Sequence, residues 1–279
     1  SDQLPRMMRL RDLEQALQIV QPFDTKVQKI ELEQFPTSYH IASRVVHAAT
    51  TSDDIEGKVV VDLGTGTGML GIGCALMGAA HVVGVDADPD ALVVAASNIE
   101  AVDVEETMDL VLSDVSSLPM RTRMGVLACD TVIMNPPFGT RNAGIDVIFL
   151  KTAIQLKPCV IYSMHKSSTR NFLVKKASIE WGLKVEVLAE LAFDIPKMYK
   201  MHKDKSRDVA VDLIRFELPA EMREGGAAFP PNIPPPPPPL LSGGDMGGAA
   251  AARTRDHHSR GSKKNNGAKT SPKSSASRQ

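Results

Sequence analysis

The sequence predicts an α/β protein built on a seven-stranded, mostly parallel β-sheet with helices on both faces. From Lys58 onward, short runs rich in β-branched residues alternate with helical stretches, which is typical of a doubly wound sheet. The first run leads directly into a glycine-rich loop, and a helical stretch follows that loop. Only a loop separates the last two strands, so the final strand is expected to run antiparallel.

The predicted elements follow one another closely along the chain. The strands are Val59–Leu63, His81–Asp86, Asp109–Leu112, Thr131–Met134, Cys159–Ser163, Lys184–Leu191 and Asp208–Phe216. The helices between them are Met69–Met77, Pro89–Ala101, Ile145–Gln155 and Ser168–Trp181. Two stretches before the sheet, Met8–Val20 and Thr37–Ala49, carry apolar residues at spacings of three and four, so we predict amphipathic helices that cap the sheet.

Composition divides the chain into three parts. Residues 1–50 form the predicted helical cap, residues 51–218 the sheet domain, and residues 219–279 a tail that is too poor in apolar residues to bury a core. The tail is rich in proline and carries nine Lys or Arg against four acids, which makes it +5 and leaves the rest at -6. We expect a disordered tail that either raises affinity for RNA, serves as a nuclear address, or has no specific partner.

The three cysteines, Cys74, Cys129 and Cys159, lie far apart inside apolar runs, with no Cys-x-x-Cys pair. They are therefore expected to be buried thiols in a reducing compartment, and no metal site is predicted. No apolar run approaches membrane-spanning length, and the N-terminus lacks a signal-peptide core, so we expect an intracellular protein without a membrane partner.

The loop after the first strand places three glycines at alternate positions, Gly64, Gly66 and Gly68, ahead of a helix. Glycine there lets the backbone turn sharply and approach a ligand. The second strand ends in Asp86, where a carboxylate can bind both ribose hydroxyls of an adenosine. The third strand is followed by Asp114 and Val115, whose carboxyl group and amide suit an adenine ring. Asp86 and Asp114 are alternatively plain turn residues at strand ends.

Asn135-Pro136-Pro137-Phe138, after the fourth strand, is the most informative motif in the chain. A planar exocyclic amine is a poor nucleophile, so its methylation needs two acceptors for its N–H bonds. The Asn135 side-chain oxygen and the Pro136 carbonyl can supply them. Consecutive prolines stiffen the loop, and Phe138 offers a face on which a flipped base can stack. A tight turn that merely ends the strand is the structural alternative.

Residues 8 to 218 resemble the NPPF/NPPY class of amino-group methyltransferases, and more narrowly the eukaryotic family that methylates N6 of adenine in small-subunit (18S) ribosomal RNA. The resemblance rests on Leu32–Thr37, Asp62–Gly68, Val132–Gly139, His165–Arg170 and Val211–Phe216. It implies a Rossmann-like class I methyltransferase fold and S-adenosylmethionine as cofactor. Thr65 and Thr67 stand where cysteines are frequent in the family loop, and the tail has no counterpart in the family.

The resemblance also assigns residues and a partner. Gln34 and Thr37 would close over the methionine end of the cofactor, Gly64, Gly66, Thr67 and Met69 would line the loop, and Asp86, Asp114 and Val115 would hold the adenosine. The family implies a heterodimer with a small zinc-binding activator subunit that covers apolar surface at a sheet edge. Its substrate implies a nuclear, including nucleolar, and cytoplasmic location.

Two basic segments are candidates for contacts with RNA. Lys197, Tyr199, Lys200 and Lys203 lie between the last two strands, and His165, Lys166 and Arg170 follow the fifth strand. Lysine and arginine suit phosphate contacts and tyrosine can stack on a base, although such loops are often simply solvated.

Three other functions remain open from the sequence. The same motif can hold guanine N2 or a glutamine side chain as the methyl acceptor. Gly66, Gly68 and Gly71 also fit the spacing of a nicotinamide oxidoreductase. The third alternative is a noncatalytic RNA-binding scaffold.

Overall fold

The computed structural model describes residues 8–23, 29, 32–34, 36–118, 121–122, 125–126, 129–195 and 207–223. All seven predicted strands are present, and they are Val59–Leu63 (β1), His81–Asp86 (β2), Met108–Leu112 (β3), Thr131–Met134 (β4), Val160–Lys166 (β5), Lys184–Ile195 (β6) and Arg207–Glu217 (β7). They form one sheet in the order β3-β2-β1-β4-β5-β7-β6. β7 runs antiparallel between β5 and β6, which confirms the predicted direction of the last strand.

The first six helices lie where the sequence places them, whereas the seventh is a short helix in the part of the tail, from residue 219 onward, that was expected to be disordered. The helices are Leu10–Leu17 (α1), Tyr39–Thr51 (α2), Met69–Leu76 (α3), Pro89–Ala101 (α4), Ile145–Gln155 (α5), Arg170–Lys175 (α6) and Ala220–Arg223 (α7). α6 continues as a wider π-helical turn over Lys176–Glu180. A small hairpin that pairs Arg121–Thr122 with Gly125–Val126 was not predicted.

Neighbouring residues of β1 face opposite sides of the sheet and join separate cores. Val60 packs into a core that includes Leu17 of α1 and Val46 of α2. Val61 packs into the other core with Leu150 of α5. The alternation follows from the twofold side-chain period of a strand, and it leaves both faces covered. Because α1 and α2 share the first core, the N-terminal helices are part of the same folded unit as the sheet.

The strand order reverses between β1 and β4, and ligands of doubly wound sheets bind outside the carboxyl ends of strands near such a point. The expectation of three buried cysteines is wrong for Cys159, which is exposed where β5 begins. Its sulfur accepts a hydrogen bond from Arg223 Nη1 at 2.9 Å. No helix within the described residues has the length and apolar character to cross a membrane. Most of the predicted disordered tail, residues 224–279, lies outside the described residues.

Candidate functional site

A cavity of about 280 Å³ opens at the carboxyl ends of β1, β2 and β4. It is lined by every residue that the sequence assigned to the cofactor or to the catalytic motif, namely Gln34, Thr37, Gly64, Gly66, Thr67, Met69, Asp86, Asp114, Val115, Asn135, Pro136, Pro137 and Phe138. These residues come from five separate segments of the chain. Their convergence on one cavity is the first structural evidence that the motifs belong to a single site.

The glycine loop connects β1 to α3 with a left-handed backbone at Gly64, Gly66 and Gly68, where φ is +73°, +56° and +88°. Such angles favour glycine. A Cβ on Gly66 would also lie 3.2 Å from the ring of Phe23, which lines the same cavity. The loop is tied to β2 because the Gly64 amide donates to the Val85 carbonyl at 2.8 Å. The bare backbone therefore forms one wall of the cavity.

Asp86, at the end of β2, fastens the loop from the other side. Its Oδ2 accepts a hydrogen bond from the Gly66 amide at 2.8 Å, and its Oδ1 accepts one from the Asp88 amide at 2.9 Å. Burial raises the pKa of this carboxyl group above its ordinary value. Asp86 thus organises the loop and also faces the cavity. Its predicted contact with ribose hydroxyls stays a prediction.

Asp114 caps the short turn Val115–Ser117 that follows β3. Its Oδ1 accepts hydrogen bonds from the amide and from the hydroxyl group of Ser116, both at 2.7 Å. Asp114 therefore does stabilise the turn at the end of the strand. Because Asp114 and Val115 also line the cavity, their predicted contact with an adenine ring remains open.

Asn135 follows β4 and is held in one orientation. Its Nδ2 donates to Thr37 Oγ1 at 2.9 Å, and Thr37 lies just before α2. Its Oδ1 is buried and has no hydrogen-bond partner among the described residues. Orphaned buried oxygens are uncommon, because each one loses its hydration without compensation. Asn135 thus lines the cavity and holds an acceptor without a partner among the described residues, and its predicted contact with a substrate amine stays a prediction.

Phe138 is 7% exposed, and its ring meets that of Phe193 at right angles with centroids 5.9 Å apart. An edge contact of this kind fixes the ring of Phe138 against β6. The residue still lines the cavity, and stacking of a flipped base on it stays a prediction.

Residues 32–34, 36 and 37 line the cavity and are called the strap below. Sequence reasoning missed most of the contacts that anchor it. Gln34 Nε2 donates to Asp88 Oδ2 at 2.6 Å, and Lys29 Nζ binds both Asp88 and Asp90. Burial opposes ionisation of Asp88, yet the hydrogen bonds from Lys29 and Gln34 hold the pKa of its carboxyl group below the ordinary value. The only sequence signal for Asp88 was its position two residues after Asp86.

Asp62 is a second acid that sequence reasoning did not assign to the site. It lies on β1 under the glycine loop, fully buried, and its Oδ2 accepts from Thr65 Oγ1 at 2.7 Å and from the Gly71 amide at 2.9 Å. Its Oδ1 has no partner among the described residues, although the residue lines the cavity. Burial raises the pKa of this carboxyl group to about 7. An acid two positions before the first glycine was a usable signal.

The residues predicted to contact RNA do not form one surface in the described part of the chain. The prediction for His165 is wrong as a surface contact, because its side chain is buried. Its Nε2 lies 2.8 Å from Ser163 Oγ, and its Nδ1 lies 3.5 Å from Asp146 Oδ2. Arg170 is paired with Asp212 and Glu190, while Lys166 is half-buried. Lys197, Tyr199, Lys200 and Lys203 lie outside the described residues.

Solved structures share this arrangement of strands. The chain is 35% identical to a Pyrococcus horikoshii protein provisionally described as an RNA methyltransferase, with a TM-score of 0.64 over 76% of this chain and 98% of that one. A Thermoplasma acidophilum protein matches with a TM-score of 0.55 at 28% identity, again over 76% and 98% of the two chains. The strand order and the similarity to these structures identify the fold as that of a Rossmann-like class I methyltransferase. The residues that line the cavity fit S-adenosylmethionine as its cofactor.

Curated relatives identify the family. The rRNA N(6)-adenosine-methyltransferase METTL5 of Danio rerio is 47% identical over 75% of this chain and 99% of its own length. The Drosophila melanogaster protein of the same description is 44% identical over 77% and 99%. The chain belongs to the METTL5 family of rRNA N6-adenosine methyltransferases. A family model for ribosomal protein L11 methyltransferase (PrmA) also matches residues 35–135, which hold the glycine loop and reach Asn135.

Proposed function

We propose that this protein transfers a methyl group from S-adenosylmethionine to N6 of an adenine in ribosomal RNA of the small subunit. The observation that carries the proposal is the Asn135 side chain, whose amide nitrogen is bound by Thr37 while its oxygen stays without a partner. A ligand that fills this cavity and satisfies that oxygen must bring a hydrogen-bond donor. The exocyclic amine of adenine does so.

The chain's own residues account for the activation of that amine. Its lone pair is delocalised into the ring, so the nitrogen gains nucleophilicity only when both N–H bonds are held by acceptors. Asn135 Oδ1 and the carbonyl of Pro136 are the two acceptors, and the ring of Pro137 restricts the backbone that positions them. The cofactor supplies an electrophilic methyl group on a sulfonium. No strong base is needed, because the nitrogen becomes acidic once it carries the methyl group.

The test is methylation of isolated small-subunit and large-subunit rRNA by the purified full chain with isotopically labelled cofactor, followed by mass spectrometry of the nucleosides. We expect N6-methyladenosine in small-subunit rRNA. Asn135→Ala should abolish the product and retain affinity for S-adenosylhomocysteine. Asn171→Ala, at an exposed position of α6, is the matched control and should behave as the unmodified chain. Methylated guanine N2 in place of N6-methyladenosine, the absence of any methylated nucleoside, or an active Asn135→Ala variant would each contradict the proposal.

A small zinc-binding activator subunit is the proposed protein partner. Its proposed site is the outer edge of β3, with which no other strand pairs in the part of the chain that the structure describes. Leu112 at the end of this edge strand is 60% exposed, and Val93 on the adjacent helix α4 is 68% exposed. Apolar side chains beside an unpaired strand edge favour cover by another chain. Leu112→Asp should prevent co-purification with a co-expressed activator, whereas Ile179→Asp, at a position 71% exposed on the π-helical turn, should not. Equal effects of both changes would refute this site.

Lys166 and Arg170 are the described candidates for phosphate contacts, together with the basic segment at 197–203.

We also propose that the protein occupies the nucleus, including the nucleolus, and the cytoplasm, where small-subunit rRNA is made and used. A fluorescent fusion with residues 219–279 removed would show whether the basic tail directs this distribution. Exclusion of the full chain from the nucleolus would contradict it.

A further inference from the structure

Glu33 combines three unusual features in one residue of the strap. Its backbone is left-handed, with φ +50°, which is rare for a residue with a side chain. Its side chain is buried, with only 6% of the residue exposed, and it lines the cavity. Strained backbone of this kind persists where the surroundings enforce it and is concentrated at ligand sites.

The two carboxylate oxygens of Glu33 have different surroundings. Oε1 accepts a hydrogen bond from the Arg141 amide at 2.7 Å, which joins the strap to the loop after the Asn-Pro-Pro-Phe motif. Oε2 is buried and has no partner among the described residues. An unpaired carboxylate oxygen is costly inside a protein unless a ligand supplies a donor, and a cationic donor compensates best. Because Oε1 is held by the Arg141 amide, the orientation of the whole carboxylate is restricted.

The position of Glu33 indicates which end of the ligand it meets. Asp86 ends β2 and Asp114 comes shortly after β3, so an adenosine bound by them lies over that side of the sheet. The strand order is β3-β2-β1-β4, and the loop that contacts Glu33 follows β4. The opposite end of the cofactor therefore extends past the glycine loop toward Glu33. That end carries an amino acid group, whose ammonium is the only cationic N–H donor of the molecule.

We propose that Glu33 Oε2 accepts a hydrogen bond from the α-ammonium group of S-adenosylmethionine. One carboxylate would then both join the strap to the loop at Arg141 and bind the amino acid end of the cofactor. The inference rests on the cofactor assignment in the proposed function. Adenine in the substrate does not compete for this oxygen, because Asn135 and Pro136 already provide acceptors for both N–H bonds of its amine. Asp62 is the rival acceptor, since it also lines the cavity and its Oδ1 also has no partner among the described residues.

The test compares two ligands that differ in the amino acid group. S-Adenosylhomocysteine carries it and 5′-methylthioadenosine lacks it, so the contact matters only for the first. In isothermal titration calorimetry, Glu33→Gln should lower the affinity for S-adenosylhomocysteine by about tenfold or more and leave the affinity for 5′-methylthioadenosine unchanged. Glutamine keeps an oxygen for the Arg141 amide and removes the charge. Glu100→Gln, at an exposed site on α4, controls for the lost charge and should change neither affinity.

Binding of both ligands reduced alike would show that Glu33 only shapes the strap, and binding of both unchanged would leave Asp62 as the acceptor. Either result overturns the proposal. A measurement on the unmodified chain does not depend on folding of the variant: the deaminated analogue of S-adenosylhomocysteine, which keeps its carboxylate, should bind much more weakly than the parent compound. Equal affinity overturns the proposal. If the unmodified chain binds none of the three ligands, the cofactor assignment itself fails.

Discussion

Asn135 and Thr37 are 98 positions apart in sequence, yet the side-chain amide of the first donates to the hydroxyl group of the second at 2.9 Å. The bond holds the nitrogen end of the Asn135 side chain and leaves its oxygen without a partner among the described residues. The strap therefore orients a side chain of the Asn-Pro-Pro-Phe motif.

Thr37→Val should therefore impair catalysis more than folding. Valine has nearly the same shape but lacks the acceptor, so the Asn135 amide is free to rotate and its oxygen is no longer held in place. We expect kcat to fall by about tenfold to a hundredfold. Thr37→Ser keeps the hydroxyl group and should retain most activity. Single-turnover methylation of rRNA measures the effect, and equal rates for the two variants would show that the bond does not orient Asn135.

Asp86→Ala should lower both stability and cofactor affinity. The change leaves the Gly66 and Asp88 amides without their acceptor, at a cost of about 1–3 kcal/mol in the free energy of unfolding. The loosened loop should bind S-adenosylhomocysteine more weakly. Urea denaturation and calorimetry provide the two measurements. Asp103→Asn, at an exposed position after α4, is the control, and a similar loss there would mean that the effect is not specific to the loop.

Asp62 should make stability depend on pH in a defined direction. Burial raises the pKa of its carboxyl group to about 7. In the unfolded chain the pKa of the same group is about 4. Between these two values the folded protein holds a proton that the unfolded chain releases. The free energy of unfolding therefore falls as pH rises through this window, and the loss is complete above about pH 7.

Asp62→Asn removes the titrating group and keeps an oxygen for Thr65 and Gly71. The stability of the unmodified chain relative to this variant should fall by about 1 kcal/mol per pH unit within the window. Urea denaturation of both proteins from about pH 5 to about pH 8 checks the slope. Parallel stability curves would show that Asp62 is ionised in the folded protein throughout.

The sequence predicted the sheet well because buried parallel strands and the helices between them carry strong periodic signals. β1, β2 and β4 have the predicted bounds. The glycine loop, Asp86 and the Asn-Pro-Pro-Phe motif were found for a related reason, since each follows a strand and strand ends converge on one edge of the sheet. Local pattern and topology were sufficient for these residues.

The errors have a common physical origin in contacts between distant segments. β5 was expected to end at Ser163 but continues to Lys166, because β7 pairs with it as far as His165 and beyond. His165 therefore stays inside the sheet instead of reaching the rim. Similarly, nothing near Glu33 in sequence indicates that its carboxylate meets the Arg141 amide, 108 positions away.

Lys29→Met should weaken the contact that anchors the strap to Asp88. The change removes the cation that pairs with the buried Asp88 carboxylate, while methionine keeps the length of the side chain. Because Lys29 is a third exposed, solvent screens the pair and the stability loss should be only about 1 kcal/mol. Affinity for S-adenosylhomocysteine should fall, with thermal denaturation and calorimetry as readouts. Lys58→Met, outside the cavity lining, is the control, and equal loss of affinity there would refute a role for the strap anchor.

The alanine variants of Arg170 and Lys166 should differ in their effects: the first should lower thermal stability and the second should lower affinity for rRNA. Arg170 Nε donates to Asp212 Oδ2 at 2.7 Å, and Asp212 is fully buried. Burial opposes ionisation of Asp212, but hydrogen bonds from Arg170 and Ser167 hold the pKa of its carboxyl group below the ordinary value. Arg170→Ala leaves a buried carboxylate without its cation, so the melting temperature should fall clearly.

Lys166→Ala breaks no ion pair found within the described residues, so it should leave the melting temperature unchanged. If Lys166 contacts a phosphate, the variant should bind rRNA more weakly, and its affinity should depend less steeply on salt by about one ion. Fluorescence anisotropy over a series of salt concentrations measures this slope. An unchanged slope in Lys166→Ala would show that Lys166 does not contact a phosphate. Because Arg170 is paired with Asp212, the end of β5 would then not be part of the RNA-binding surface.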